Sequence, residues 1–316
     1  MPELPEVETV RRGLNQMTLN QTIQGGVVLL DRTIAHPDRP TDFLTGIQGT
    51  TLVEWHRRGK YLLAELVRDN QAAGWLGVHL RMTGQLLWGT QDAPVQKHCR
   101  VRFFFADNQE LRFVDQRTFG QIWWVPPEQT PEQVITTLAS LGPEPFSPEF
   151  SVPYFRGWLR DRQRPIKNAL LDQTLVAGIG NIYADESLFL SKINPQTHCA
   201  SLKPKQIQLL HAAIIQVLQD SIGEGGTTFS DFRDIKGING NYGNVAWVYD
   251  REGQPCQTCG APIARVKLAG RSAHFCPDCQ PVGGKGKGKR GKGKGERGSL
   301  DGFVDCSVGA IGNFCL

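Results

Sequence analysis

Thr50-Thr51-Leu52-Val53-Glu54-Trp55-His56-Arg57-Arg58-Gly59-Lys60-Tyr61-Leu62-Leu63-Ala64-Glu65-Leu66 sets two runs rich in β-branched, aromatic and aliphatic residues on either side of an Arg58-Gly59 break. Such runs separated by a turn residue read as two strands folded back on each other. The pattern recurs in Val101-Arg102-Phe103-Phe104-Phe105 and Gln121-Ile122-Trp123-Trp124-Val125, with Asp107-Asn108 as a further turn. Residues 22–125 are therefore expected to form a β-sandwich or barrel. Ahead of them, Leu4 to Leu14 reads as a helix with Pro5 near its first turn, acids early and Arg11 and Arg12 late. Its Val7, Val10, Arg11 and Leu14 fall on one stripe.

Beyond residue 125 the pattern changes. A proline-bearing stretch from Pro126 to Pro145 looks like a crossover, and from about 150 to 230 the apolar period turns helical: Tyr154 to Arg160, Ile182 to Leu190, and Lys205 to Ser221. These shifts predict an α+β, two-domain chain. An N-terminal helix plus sandwich spans 1–130, a linker 131–150 and a helical domain 151–240. A cysteine-bearing hairpin follows at 246–280, then a disordered Gly/Lys-rich tail at 281–316.

In the hairpin, Cys256-Gln257-Thr258-Cys259 and Cys276-Pro277-Asp278-Cys279 are separated by 16 residues, a spacing that fits one four-thiolate zinc site. Four thiolates leave no open position, so the zinc is structural. Eight cysteines could also suggest disulfides, but two C-x-x-C pairs favour a metal in a reducing cytoplasm. Cys99, Cys199, Cys306 and Cys315 are then unpaired thiols. No membrane-length apolar run and no signal-like N-terminus is visible.

The net charge of +4 is misleading when taken whole. Residues 281–316 hold seven of the 35 Lys and Arg and three of the 31 Asp and Glu, leaving 28 of each sign in residues 1–280. Polyanion binding by the folded part must come from one-sided placement of charge, not from surplus. The tail could raise non-specific affinity for a polyanion such as a nucleic acid by counterion release. It could equally be read-through of a shifted frame.

Two further stretches carry chemistry. Met1-Pro2-Glu3 would, once Met1 is removed, expose a secondary amine beside a carboxyl group, and such an amine titrates well below a lysine. Proline at a first turn also needs no chemistry. Leu175-Val176-Ala177-Gly178-Ile179-Gly180-Asn181-Ile182-Tyr183-Ala184-Asp185-Glu186 places two glycines ahead of a helix, where backbone N–H groups can meet a phosphate and Asn181 can act as N-cap. A plain tight turn is the alternative.

Together the opening Pro2-Glu3-Leu4-Pro5-Glu6, the Gly178-Ile179-Gly180-Asn181 turn after Ile166-Lys167-Asn168, and the cysteine hairpin resemble the formamidopyrimidine-DNA glycosylase family over nearly all of residues 1–280. The resemblance implies a helix–two-turn–helix element and a bifunctional glycosylase and abasic-site lyase of base-excision repair acting on oxidised purines. It implies Pro2 as nucleophile and Glu3 as proton donor, with Lys60 and Arg271 assisting the eliminations. DNA contacts fall to His98, Arg117, Arg162, Lys167 and Asn181, and Met82 and Phe119 fill the space a flipped base leaves. The partner is double-stranded DNA with an oxidised base or abasic site, bound by a monomer. Plainer readings stand beside these: Lys60 as an edge-strand lysine, Met82 and Phe119 as core, His98 as a buried hydrogen-bonded histidine, Arg271 as a solvated cation. The usual Asp-Pro-Arg-Arg-Phe-Gly departs here to Asp115-Gln116-Arg117-Thr118-Phe119-Gly120, which bears on the stiffness of that loop. Two rival functions remain: a sibling glycosylase for oxidised pyrimidines, and a non-enzymatic zinc-ribbon DNA-binding protein.

Overall fold

The computed structural model describes residues 1–227, 235, 237 and 246–282. The expected tail, and the part of the helical stretch beyond 227, lie outside the described residues. The chain opens with α1 (Leu4–Met17), β1 (Gly25–Val28), β2 (Ile34–His36) and α2 (Pro40–Ile47). Seven strands follow: β3 (Thr51–Arg58), β4 (Tyr61–Arg68), β5 (Gln71–His79), β6 (Gly84–Thr90), β7 (Cys99–Phe104), β8 (Gln109–Asp115) and β9 (Gln121–Val125). They form two sheets, one of four strands in the order β1-β7-β8-β6 and one of five in the order β2-β9-β5-β4-β3. Trp55, Leu62, Phe103 and Phe113 fill the space between them, and α1 adds Val7, Val10 and Leu14 to the same core. The β3–β4 turn depends on Gly59 at φ +57, and the β7–β8 turn on Asp107 and Asn108 at φ +54 and +60. These left-handed pairs match strand twist, so two residues suffice for the second reversal.

The stretch expected as a linker contains α3 (Pro131–Val134) and α4 (Thr136–Ala139). Ile135 and Leu138 pack there against Tyr61, Leu63, Trp123 and Val125, covering the outer face of the five-stranded sheet. The helical part comprises α5 (Val152–Leu159), α6 (Ile166–Leu170), α7 (Asn181–Leu190) and α8 (Pro204–Gly223) around a separate core that includes Phe155, Leu170, Tyr183 and Leu210. Among the described residues no helix is long and apolar enough to cross a membrane.

Finally β10 (Ala264–Leu268) and β11 (Arg271–Phe275) pair as an antiparallel hairpin. A charged clamp fixes the β3–β4 turn. Glu144 accepts from Arg57 at 2.6 Å, from Arg58 at 3.1 Å and from the Gly59 amide at 2.6 Å, and Glu8 accepts from Arg57 at 3.2 Å. The next residue in that turn is Lys60.

Candidate nucleic-acid and catalytic site

Widely separated segments converge on one cleft of about 340 Å³, lined among others by Met1, Glu3, Lys60, Met82, Asn181 and Arg271. Met1 is 42% exposed at this cleft and Pro2 behind it is buried. The Pro2 nitrogen is an amide while Met1 is attached, and loss of Met1 uncovers it beside the cleft.

Glu3 is buried, and its carboxylate accepts from the amides of Gly180 at 2.7 Å, Ile182 at 3.0 Å and Tyr183 at 3.4 Å. It thus satisfies the open N–H groups at the start of α7, where the helix dipole favours an anion. The expectation for this turn needs correcting on two points. The N-cap position is Gly180, with Asn181 the first helical residue, and a carboxylate from 177 residues earlier supplies the capping oxygen. Several of the amides read as a phosphate cradle are also engaged within the chain, since Gly178 N–H goes to Gln173 at 2.9 Å and those of Gly180, Ile182 and Tyr183 to Glu3. Gly180 is required by space: a Cβ there would lie 2.3 Å from Glu3 Cδ. Gly178, at φ +91, would meet Leu4 at 2.7 Å, and its carbonyl accepts from the Leu4 amide at 3.0 Å. Both glycines make room for the chain's own N-terminus.

Lys60 is buried, with Nζ donating to the Ile179 carbonyl at 3.0 Å. Burial pushes its pKa down; the charges of Glu3 and Glu6 pull the other way, and Arg271 adds to the depression. Sequence reasoning missed Glu6, although Glu3-x-x-Glu6 is a capping-box spacing that could have found it. Glu6 accepts from the Glu3 amide at 2.7 Å, the Thr227 amide at 2.8 Å and the Tyr183 hydroxyl. Burial, then the charge of Glu3, raises its pKa to about 7 against the pull of those hydrogen bonds.

The residues given to DNA contact divide into three groups. Met82 lines the cleft, and Phe119 is 53% exposed with the Arg117 guanidinium 5.1 Å from its ring centroid. Core packing is thereby excluded for Phe119. His98 is half-buried beside Arg100, at 3.2 Å, and Arg162 lies exposed over Trp158 at 3.7 Å. Asn181 borders the cleft, and among the described residues its Oδ1 has no hydrogen-bond partner.

Lys167 does not join them. Its side chain is 0% exposed and ion-paired with Asp185, and Nζ also donates to the carbonyls of Asn181 at 3.3 Å and Ser272 at 3.0 Å. Nearby, Arg164 pairs with Asp172 at 2.6 Å, so of the basic residues around α6 Lys167 is interior and Arg164 is engaged within the chain.

Cys256, Cys259, Cys276 and Cys279 bring their sulfurs within 4.8 Å of one another. The Cys256–Cys279 and Cys259–Cys276 separations are 3.9 and 3.4 Å. Tetrahedral zinc with bonds near 2.3 Å requires sulfurs about 3.8 Å apart, so the donors fit one structural zinc ion. The amides of Thr258 and Cys279 point at Cys256 and Cys276 sulfurs, each at 3.4 Å, as a thiolate site needs. Cys99 and Cys199 are buried free thiols.

Residues 1–122 match the model of the formamidopyrimidine-DNA glycosylase N-terminal domain, residues 141–233 that of the formamidopyrimidine-DNA glycosylase H2TH domain, and residues 253–282 that of the zinc finger found in FPG and IleRS. The formamidopyrimidine-DNA glycosylase of Acaryochloris marina (strain MBIC 11017) is 66% identical over 282 residues, covering 89% of this chain and 99% of its own. Among solved structures, Lactococcus lactis Fpg with an abasic site containing DNA superposes with a TM-score of 0.81 at 38% identity, covering 88% of this chain and 99% of that one. MutM with carbocyclic 8-oxo-G containing DNA gives 0.80 at 38% identity, covering 89% and 100%.

Proposed function

The chain belongs to the formamidopyrimidine-DNA glycosylase family, and from that membership we propose a bifunctional DNA glycosylase and abasic-site lyase that removes oxidised purines such as 8-oxoguanine from double-stranded DNA. The observation that carries the proposal is the convergence of Met1, Glu3, Lys60 and Arg271 on one cleft. With Met1 removed, the Pro2 nitrogen attacks C1′ of an extruded deoxyribose and the base departs with the C1′–N bond pair. Glu3 takes up the proton that the attacking nitrogen releases and passes it to the ring oxygen as the sugar opens to an iminium. That cation acidifies the C2′ proton, whose loss expels the 3′ phosphate, and a second elimination expels the 5′ phosphate. Lys60 and Arg271 neutralise the departing phosphates. Such catalysis is positioning plus charge stabilisation. We take the protein to act as a monomer, and a reducing cytoplasm suits four thiolates kept for zinc.

Borohydride trapping on abasic-site duplex tests the nucleophile. The processed protein gives a covalent adduct, and Pro2→Gly or Glu3→Gln loses it. Absence of adduct with wild-type protein of confirmed N-terminus rules out the lyase. Excision of thymine glycol in preference to 8-oxoguanine would instead assign the chain to oxidised pyrimidines.

A further inference from the structure

Two loops project from the same end of the sandwich. Residues 80–83 join β5 to β6 and carry Met82; residues 116–120 join β8 to β9 and carry Arg117 and Phe119. Gly84 and Asp115 face each other across the β6–β8 ladder where the loops begin. We propose that Asp115, acting with Thr83, is a positioning residue that joins these loops into one rigid wedge for the space a base vacates. The inference rests on the function proposed above, in which a base leaves the stack.

The bonds that join them form a closed set. Asp115 is 1% exposed. Its Oδ1 accepts from the Thr83 hydroxyl and from the Arg117 amide at 3.2 Å, and its Oδ2 accepts from the Gly120 amide at 2.7 Å. The Arg117 amide is shared with Thr83 Oγ1 at 3.0 Å, so Thr83 donates to the carboxylate and accepts from the loop that the carboxylate holds.

A second tie runs from the Arg81 guanidinium to Gln121 Oε1 at 2.7 Å, while the Arg81 amide donates to His79 Nδ1 at 2.9 Å. Burial, helped by the charges of Arg81 and Lys60, pushes the His79 pKa down to about 3, which keeps that nitrogen an acceptor. Gly120 allows the close approach: a Cβ there would lie 2.4 Å from Phe113 and 3.0 Å from Asp115 Oδ2.

The loops are also held in costly conformations. Arg81 and the β-branched Thr118 lie at φ +52 and +58, left-handed positions that persist only where surrounding bonds fix them. The Thr118 hydroxyl accepts from Arg32. No proline stiffens this loop, and hydrogen bonds to a buried carboxylate supply the rigidity. A wedge ordered before it meets DNA loses less entropy on insertion.

The test compares an intact lesion with a site whose base is already gone. Thr83→Val keeps shape and removes both hydrogen bonds, and Thr83→Ser keeps the hydroxyl. Single-turnover excision of 8-oxoguanine from duplex is expected to fall about tenfold in Thr83→Val, the scale of one hydrogen bond to a charged group. Borohydride trapping on abasic-site duplex should stay within about twofold, since no base need be displaced there. Thr83→Ser should restore excision. Fluorescence of 2-aminopurine opposite the lesion should report slower unstacking in Thr83→Val alone. Equal losses on both substrates with a lowered Tm, or no loss on either, overturns the inference. If the wild type neither excises nor traps, the proposed function itself fails.

Discussion

Glu3, the N-cap of α1, and Glu6 in its first turn are both buried, yet they face different partners. Glu3 meets three amides at the start of α7; Glu6 meets two amides and a tyrosine hydroxyl in the field of Glu3. The raised pKa of Glu6, about 7 against an ordinary 4.5, has a consequence for stability. Between those values the folded chain holds a proton that the unfolded chain has released, so stability falls as pH rises through the window and levels off above it. Glu8 works in the opposite sense. Burial alone would raise it, but hydrogen bonds and charge from Arg11, with help from Arg12 and Arg57, hold it at about 2. Its contribution is full above 4.5 and is lost as pH falls toward 2. Urea midpoints of wild type and Glu6→Gln are therefore expected to converge as pH rises from about 5 to about 7, because the wild type loses its proton-linked advantage over that range. A pH-independent gap would mean that Glu6 is ionised throughout. Glu8→Gln should instead narrow the gap only on the acid side.

At the scale of elements, α7 is the post on which the site is assembled. Its first turn receives Glu3, and its second turn carries Asp185, whose Oδ2 accepts from the His274 amide at 3.0 Å while Oδ1 pairs with Lys167. Lys167 reaches on to the Ser272 carbonyl, one residue from Arg271. The hairpin tip is thus fixed to α6 and α7 through a buried ion pair. Removing one partner of such a pair strands the other charge. Lys167→Met is expected to cost about 3–5 kcal/mol in urea unfolding and to speed amide exchange at His274. A lysine serving only as a phosphate contact would leave both unchanged and lower only the salt slope of DNA affinity, by about one ion. Nothing in Ile166-Lys167-Asn168 distinguishes the two roles, since an exposed and an interior lysine on a short helix read alike. Asp185 beside Lys167 becomes informative only once α6 and α7 are folded together.

For the molecule as a whole, the parts whose chemistry is local were legible in the sequence: alternating strands, two C-x-x-C pairs, and a proline after the first methionine. Contacts between distant segments were not. The Gly178-Ile179-Gly180 turn fits a phosphate equally well as an isolated motif, and only the tertiary fold brings Glu3 into it. Asp115 and Thr83 lie 32 residues apart without any pattern linking them. The zinc hairpin is the converse case, where a local spacing determines a distant event. Its first strand buries no residue fully, and Phe189, Val248, Cys256, Ile263 and Cys276 form a small cluster apart from the sandwich and helical cores. A two-stranded ribbon is marginal alone, so metal binding supplies its folding free energy. The ribbon also holds onto the helical part, through Gln280 to Ile193 and Asn194 at 2.8 Å each, and through Glu186, which accepts the amides of Trp247, Val248 and Tyr249. Chelation is therefore expected to unfold the hairpin while leaving the sandwich and helices folded. Far-UV circular dichroism should change little, and DNA affinity and borohydride trapping should fall together as Arg271 loses its frame. Restoring zinc should recover both. A single transition that took sandwich, helices and hairpin together would instead make the ribbon integral to the main cores, contrary to the separate clusters seen here.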